Sequence, residues 1–246
     1  MNLDRIIAVR NNKTLYRDGD RCLKVFCDGY SKADVLNEAL NQSRMEEAGL
    51  NVPKILEVTS IDGKWTIVSE YISGKTLSQL IKAEPEKTED YMSLFIELQK
   101  ELSLKTCPGL SMLKDKMNYR ICNTELPATV RFDLHTKLNN MPEHSKVCHG
   151  DFYPTNIIIS DKDNKPYFLD WSHAALGNAS ADAARTYILF IANGREDLAK
   201  IYLDLYCKKI GTDLNYLNKW IPIVAASLSS TANSEEKKTL LSMVKY

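Results

Sequence analysis

Over the first 71 residues apolar and polar positions change over in short runs. Residues 5–10 and 13–17 read as strands, Asp18-Gly19-Asp20 as a hairpin turn, and 22–26 as the next strand, which carries Lys24. Ser31 followed by Asp34 is a capping-box signature. Val35, Leu36, Ala39 and Leu40 then recur at helical spacing until Gly49 and Val52-Pro53, so an amphipathic helix is expected over about 31–48. Two more strands, 54–59 and 64–71, meet at the Asp62-Gly63 turn. Five strands and one helix predict a small α+β lobe at 1–71.

Past Tyr71 the period changes. Gly74 punctuates the chain, and helical spacing follows through Leu77, Leu80 and Ile81, then through Tyr91, Leu94, Phe95, Leu98 and Leu102. The stretch 146–169 is different: Val147-Cys148, 157–159 and 167–169 are short apolar runs between polar turns, where loops carrying chemistry would sit. Further helices are expected at about 180–193, 195–209, 213–228 and 234–245, with no internal repeat. Residues 72–246 thus predict a larger, mainly helical lobe, with a hinge candidate near residue 72.

Composition narrows the function classes. The 246 residues suffice for one large domain or two lobes sharing a cleft, and 44% hydrophobic with 26% charged residues is the profile of a globular protein. Thirty-two basic residues balance 32 acidic ones, without a dense Lys/Arg run, which argues against nucleic acid. The six cysteines form no CxxC pair and have no His cluster at zinc spacing, so they read as free thiols. No apolar stretch is long enough to span a bilayer, and the N-terminus opens into charged sequence, so a cytoplasmic setting is expected.

The chemistry is concentrated in His149-Gly150-Asp151-Phe152-Tyr153-Pro154-Thr155-Asn156, followed by Asp170-Trp171. Phosphoryl transfer from ATP needs a carboxylate to take the proton of the attacking hydroxyl, and oxygen ligands that fix magnesium on the phosphates. Asp151, Asn156 and Asp170 supply that inventory. Magnesium keeps several waters, so one carboxylate and one amide from the protein suffice. Upstream, Lys24 on a strand and Glu38 beside the apolar face of the next helix match a Lys that reaches phosphate and a Glu that holds it. Six fixed positions in the loop and Asp-Trp pattern would coincide by chance in roughly one such chain in 10^5–10^6.

With these residues the chain resembles the aminoglycoside phosphotransferase and choline kinase family, of protein-kinase-like fold. The pattern His-Gly-Asp-x-x-x-x-Asn stands as His149, Gly150, Asp151 and Asn156, and the metal-binding Asp as Asp170. The strand Lys stands as Lys24 and the helix Glu as Glu38. The resemblance implies a bilobal α+β fold and use of ATP and Mg2+. It implies Asp151 as catalytic base, Asn156 and Asp170 as metal ligands, and adenine contacts at the Glu70 carbonyl and the Ile72 amide. His149 reads as loop support, since Asp151 fills the base role. Asp182 resembles the family's buried brace of the catalytic loop; a helix-dipole role is its alternative. One departure stands out: the turn Arg10-Asn11-Asn12-Lys13 has no glycine. Phosphate contact from Asn11, Asn12 or Lys13 competes with a plain hairpin turn.

The expected partner is a small-molecule hydroxyl acceptor. After Ser172 basic residues slightly outnumber acidic ones, which weakly disfavours polycationic aminoglycosides. Tyr187, Phe190, Tyr202, Tyr206, Tyr216 and Trp220 could cage a quaternary ammonium, but the one-turn spacing of Tyr202 with Tyr206 and of Tyr187 with Phe190 reads as core. His173 lies near enough to Asp170 in sequence to touch substrate. The alternatives are a nucleotide-binding pseudokinase and a kinase of protein side chains. The short run from Asp170 to the helix start at Ser180 speaks against the second, because it leaves no long activation segment. Acceptor identity, ATP or GTP preference and oligomeric state are not encoded in any pattern found.

Overall fold

The computed structural model describes residues 5–10 and 12–244; Asn11, at the hairpin turn, and Lys245, at the end of the expected last helix, lie outside them. The chain divides into two compact units, each discontinuous in sequence. Residues up to Ala83 group with Pro154–His173, and Glu84–Tyr153 groups with the chain from Ala174 onward. The change from strand to helix period near residue 72 is a feature of the sequence; the spatial division follows where 74–83 and 154–173 pack.

In the first unit, β1 (Ile6–Arg10), β2 (Lys13–Asp18), β3 (Arg21–Phe26), β4 (Ile55–Ile61) and β5 (Lys64–Glu70) form an antiparallel sheet of order β1-β2-β3-β5-β4. Alternation sorts β3 into two faces. Leu23 and Val25 pack with Val68, Tyr16 and Ile61, while Phe26 packs with Val35 and Ala39 of α1 (Lys32–Glu47) and with Ile67. Lys24 shares the face of Phe26, and its partner in register is Ile67. The helix starts where Ser31 accepts from the Asp34 N–H.

The same unit holds α2 (Leu77–Ala83) and a second sheet, β6 (Gly74–Thr76), β8 (Ile157–Ser160) and β9 (Pro166–Phe168), of order β6-β8-β9. Only glycine fits at 74, because a Cβ there would sit 2.1 Å from the Ile159 carbonyl oxygen. The β8–β9 pair opens toward a short 3-10 turn, Pro154–Asn156, and the Leu169 N–H closes onto the Asn156 carbonyl at 2.9 Å. Asn156 and Asp170 thereby emerge at one end of one ladder.

The second unit pairs β7 (Lys146–Cys148) with β10 (Ala175–Gly177) and surrounds them with helices. These are α3 (Thr88–Ser103), α4 (Leu113–Cys122), α5 (Ala128–Asn140), α6 (Ala179–Ala192), α7 (Glu196–Ile210), α8 (Leu214–Ser229) and α9 (Ser234–Ser242). An aromatic core joins them: the Phe95 ring lies 4.5 Å from Phe152, 6.1 Å from Phe190 and 6.0 Å from Tyr202. Tyr202 and Phe190 are fully buried, with Tyr206 and Trp220 nearly so, which makes these four core residues. Among the described residues no helix is long and apolar enough to cross a membrane, and the six cysteines are free.

Helices α4 and α5 and strands β6 and β10 did not stand out in the sequence. Each of the two helices buries a stripe one residue wide, Leu113, Met117 and Ile121 in one and Val130, Leu134 and Leu138 in the other. Charged and polar residues fill the rest, so the apolar arc is narrower than usual for a core helix. Three-residue strands carry too few alternations to register as a period.

Candidate active site

The face of β3 covered by α1 holds a charged network. Glu38, 1% exposed, ion-pairs with Lys24. Lys24 Nζ lies 3.8 Å from Asp170, and Lys13 Nζ lies 3.8 Å from Glu38 while donating to both Asp170 carboxylate oxygens at 3.0 and 2.8 Å. Burial by itself would lower the Lys24 pKa; Asp170 and Glu38 outweigh it and hold the ammonium above the usual lysine range. Lys24 therefore stays charged. Asp170 adopts a left-handed backbone, φ 65°, a conformation uncommon for a residue with a Cβ and one that gathers at functional sites. The carbonyl of the next residue, buried Trp171, accepts from Asn41 Nδ2 of α1 at 3.1 Å.

Lys13, Lys24 and Asp170 face a cavity within the first unit. Its volume is about 120 Å³, and its lining includes Lys13, Lys24, Glu70, Ile72, Asn156 and Asp170. The cavity's β5 end is pinned by the Tyr71 N–H, which donates to the Asp20 carbonyl at 2.9 Å.

The second unit holds the loop that carries Asp151. Asp182, in the first turn of α6, accepts the His149 N–H at 3.2 Å and the Gly150 N–H at 2.8 Å, one on each carboxylate oxygen. The Asp151 N–H donates to His149 Nδ1 at 3.2 Å, and His149 is fully buried. On the far side, Thr186 Oγ1 donates to the Phe152 carbonyl at 3.0 Å and receives from Gln99, which in turn accepts from Tyr202. Gly150 takes the left-handed turn, φ 74°, between these anchors.

A family model described as the phosphotransferase enzyme family matches residues 8–217, most of the chain and all of the residues just described. The chain belongs to the phosphotransferase enzyme family. A relative named Protein LicA homolog, from Mycoplasma capricolum subsp. capricolum, is 36% identical over 64 residues, 26% of this chain. That stretch spans only 25% of the relative's own length. Among solved structures, choline kinase LicA from Streptococcus pneumoniae matches with a TM-score of 0.66 at 17% identity, over 99% of this chain and 92% of the other. A thermostable mutant of aminoglycoside phosphotransferase APH(4)-Ia, in ternary complex with AMP-PNP and hygromycin B, gives 0.69 at 14% identity, over 97% and 92%. The likeness to these two is one of fold, the α+β protein-kinase-like arrangement expected from the sequence.

Of the phosphotransferase residues expected from sequence, Lys24, Glu70, Ile72, Asn156 and Asp170 line one cavity, with Glu38 behind Lys24. His149, Asp151 and Asp182 are tied together in the second unit. His173 belongs with the first unit and is half-buried. The bond from Lys13 to Asp170 was not expected. Its signal lay in the strand register: Lys13 pairs with Phe26, whose side chain shares a face with Lys24, so the two lysines are diagonal neighbours on that face.

Proposed function

We propose that this phosphotransferase moves the γ-phosphoryl group of ATP to a hydroxyl of a small molecule in a magnesium-dependent reaction. The observation carrying this reading is the cavity that gathers Lys24, Asn156 and Asp170 in a chain of the phosphotransferase enzyme family. In this reading residues 1–71 bind nucleotide, and 72–246 supply catalysis and the acceptor site. The adenine meets the Glu70 carbonyl and Ile72 amide, and Lys24, held by Glu38, takes phosphate oxygens. The solved relative with AMP-PNP bound supports a nucleoside triphosphate as donor.

Magnesium fits the residues present. Both Asp170 carboxylate oxygens hold a cation, the Lys13 ammonium, and the Asn156 amide lines the same cavity. A hard cation that keeps several waters needs little more from the protein. Asp170 and Asn156 are its proposed ligands, and when bound it would neutralise phosphate charge.

In the transfer, the acceptor oxygen bonds to the γ-phosphorus as the bond to the β,γ-bridging oxygen breaks. ADP leaves with that electron pair, and the hydroxyl proton passes to Asp151. Asp182 sets the Asp151 loop through the two N–H groups it accepts, and His149 supports it from beneath. The test is ADP release from ATP across a panel of sugars, amino alcohols, aminoglycosides and hydroxy acids, with and without Mg2+. Acceptor-dependent, magnesium-dependent turnover is expected; nucleotide binding with every acceptor inert would favour a pseudokinase.

A further inference from the structure

Asn118, Cys122 and His135 meet on the second unit, outside the site described above. Asn118 and Cys122 stand four residues apart on α4, so they share a face, and each directly follows a position of the buried stripe, Met117 or Ile121. His135 follows Leu134 of the α5 stripe in the same way. The two helices pack against each other, and the borders of their stripes come together.

The joint between the helices holds this meeting in place. Thr124 Oγ1 donates to the Ile121 carbonyl at 2.8 Å, and Asn123 Nδ2 donates to the Tyr119 carbonyl at 2.7 Å. From α5, Arg131 Nη1 reaches back to the Thr124 carbonyl at 3.0 Å, one turn before His135. His135 is itself half-buried.

The imidazole is oriented by the amide. His135 Nδ1–H donates to Asn118 Oδ1 at 2.7 Å, and since that oxygen can only accept, Nδ1 carries the ring proton. In the neutral ring Nε2 is then the basic nitrogen, and it lies 3.5 Å from Cys122 Sγ. The thiol proton thus has a base beside it, which matters because thiolate is the nucleophilic form of cysteine. Access separates Cys122 from most of the other thiols. Cys107 and Cys148 are buried, Cys22 and Cys207 half-buried, and Cys27 and Cys122 exposed. Among the described residues Cys27 has no imidazole at its sulfur.

From the exposed thiol, its imidazole base and the amide that turns that base toward it, we infer that Cys122 is a thiol-exchange site that takes up low-molecular-weight disulfides. Cys122 Sγ attacks one sulfur of the disulfide; the new S–S bond forms as the old one breaks, and the leaving sulfur keeps the electron pair. His135 Nε2 takes the Cys122 proton and passes it to that leaving sulfur. Cys122 is oxidised to a mixed disulfide, and half of the small disulfide departs as a reduced thiol. Asn118 is a positioning residue, which fixes the tautomer and the ring plane. The site stands apart from phosphoryl transfer, so it holds or fails independently of the kinase reading.

The experiment treats the full chain with 2-hydroxyethyl disulfide, a neutral probe, at neutral pH. Timed samples are quenched with N-ethylmaleimide, and the adduct at each cysteine is followed by peptide mass spectrometry, with Cys27 as the internal control. Cys122 should form the mixed disulfide at least about ten-fold faster than Cys27, and dithiothreitol should remove it. His135→Gln should bring the Cys122 rate to within about two-fold of Cys27, and Asn118→Leu should lose part of the advantage. Equal rates at Cys122 and Cys27 in wild type overturn the inference, and so does an undiminished Cys122 rate in His135→Gln. Circular dichroism melts establish that the variants fold; should His135→Gln fail to, the wild-type ratio of the two cysteines decides by itself.

Discussion

The Lys13 ammonium donates to both carboxylate oxygens of Asp170, at 3.0 and 2.8 Å, so the proposed magnesium ligand has a positive charge built in beside it. Lys13 and Asp170 are 157 residues apart in sequence, and both side chains are largely buried. In Lys13→Met the carboxylate keeps the Lys24 ammonium at 3.8 Å and the Ser172 hydroxyl at 3.3 Å. Stability without divalent cation should fall by about 1–3 kcal/mol, and millimolar Mg2+ should restore most of it. Urea unfolding with and without Mg2+ measures this; an equal deficit in both conditions would show that metal and lysine do not share the carboxylate.

Glu38 is the buried counter-charge of Lys24, and removing one member of a buried pair leaves the other uncompensated. Glu38→Gln should cost about 3 kcal/mol of stability and raise the KM for ATP about ten-fold, with Glu38→Asp intermediate. Denaturant melts and nucleotide titrations check the two effects separately. A Glu38→Gln protein that binds ATP as wild type would remove Glu38 from the nucleotide site.

Most of the candidate site was legible because its residues sit on strongly patterned elements. Lys24 lies mid-strand, Glu38 borders the apolar stripe of a capped helix, and Asp151, Asn156 and Asp170 punctuate short apolar runs. Their strand and helix boundaries agree with expectation to within about two residues. What escaped were relationships set by tertiary packing. Arg185 was visible only as the end of the Asp182 segment, because nothing in sequence says that α4 places Arg120 beside it. Helix α4 was itself hidden by its narrow apolar stripe.

Asp182 accepts two consecutive backbone N–H groups, and an amide at that position could accept only one of them without turning its own donor toward the other. Asp182→Asn should lower kcat by about 10²-fold through misplacement of the Asp151 loop, with the KM for ATP little changed. Hydrogen exchange at the His149 and Gly150 amides should accelerate in parallel. Loss of kcat with unaltered exchange would mean that Asp182 acts by another route.

In the proposed reaction Asp151 takes the proton of the attacking hydroxyl while other residues bind the nucleotide. The decisive measurement is Asp151→Asn, comparing acceptor-dependent ADP release with the dissociation constant for Mg-ATP. Turnover should fall by about 10³-fold or more, with nucleotide affinity within about two-fold of wild type. Turnover near the wild-type rate, or loss of nucleotide binding equal to the loss of turnover, would contradict Asp151 as the base.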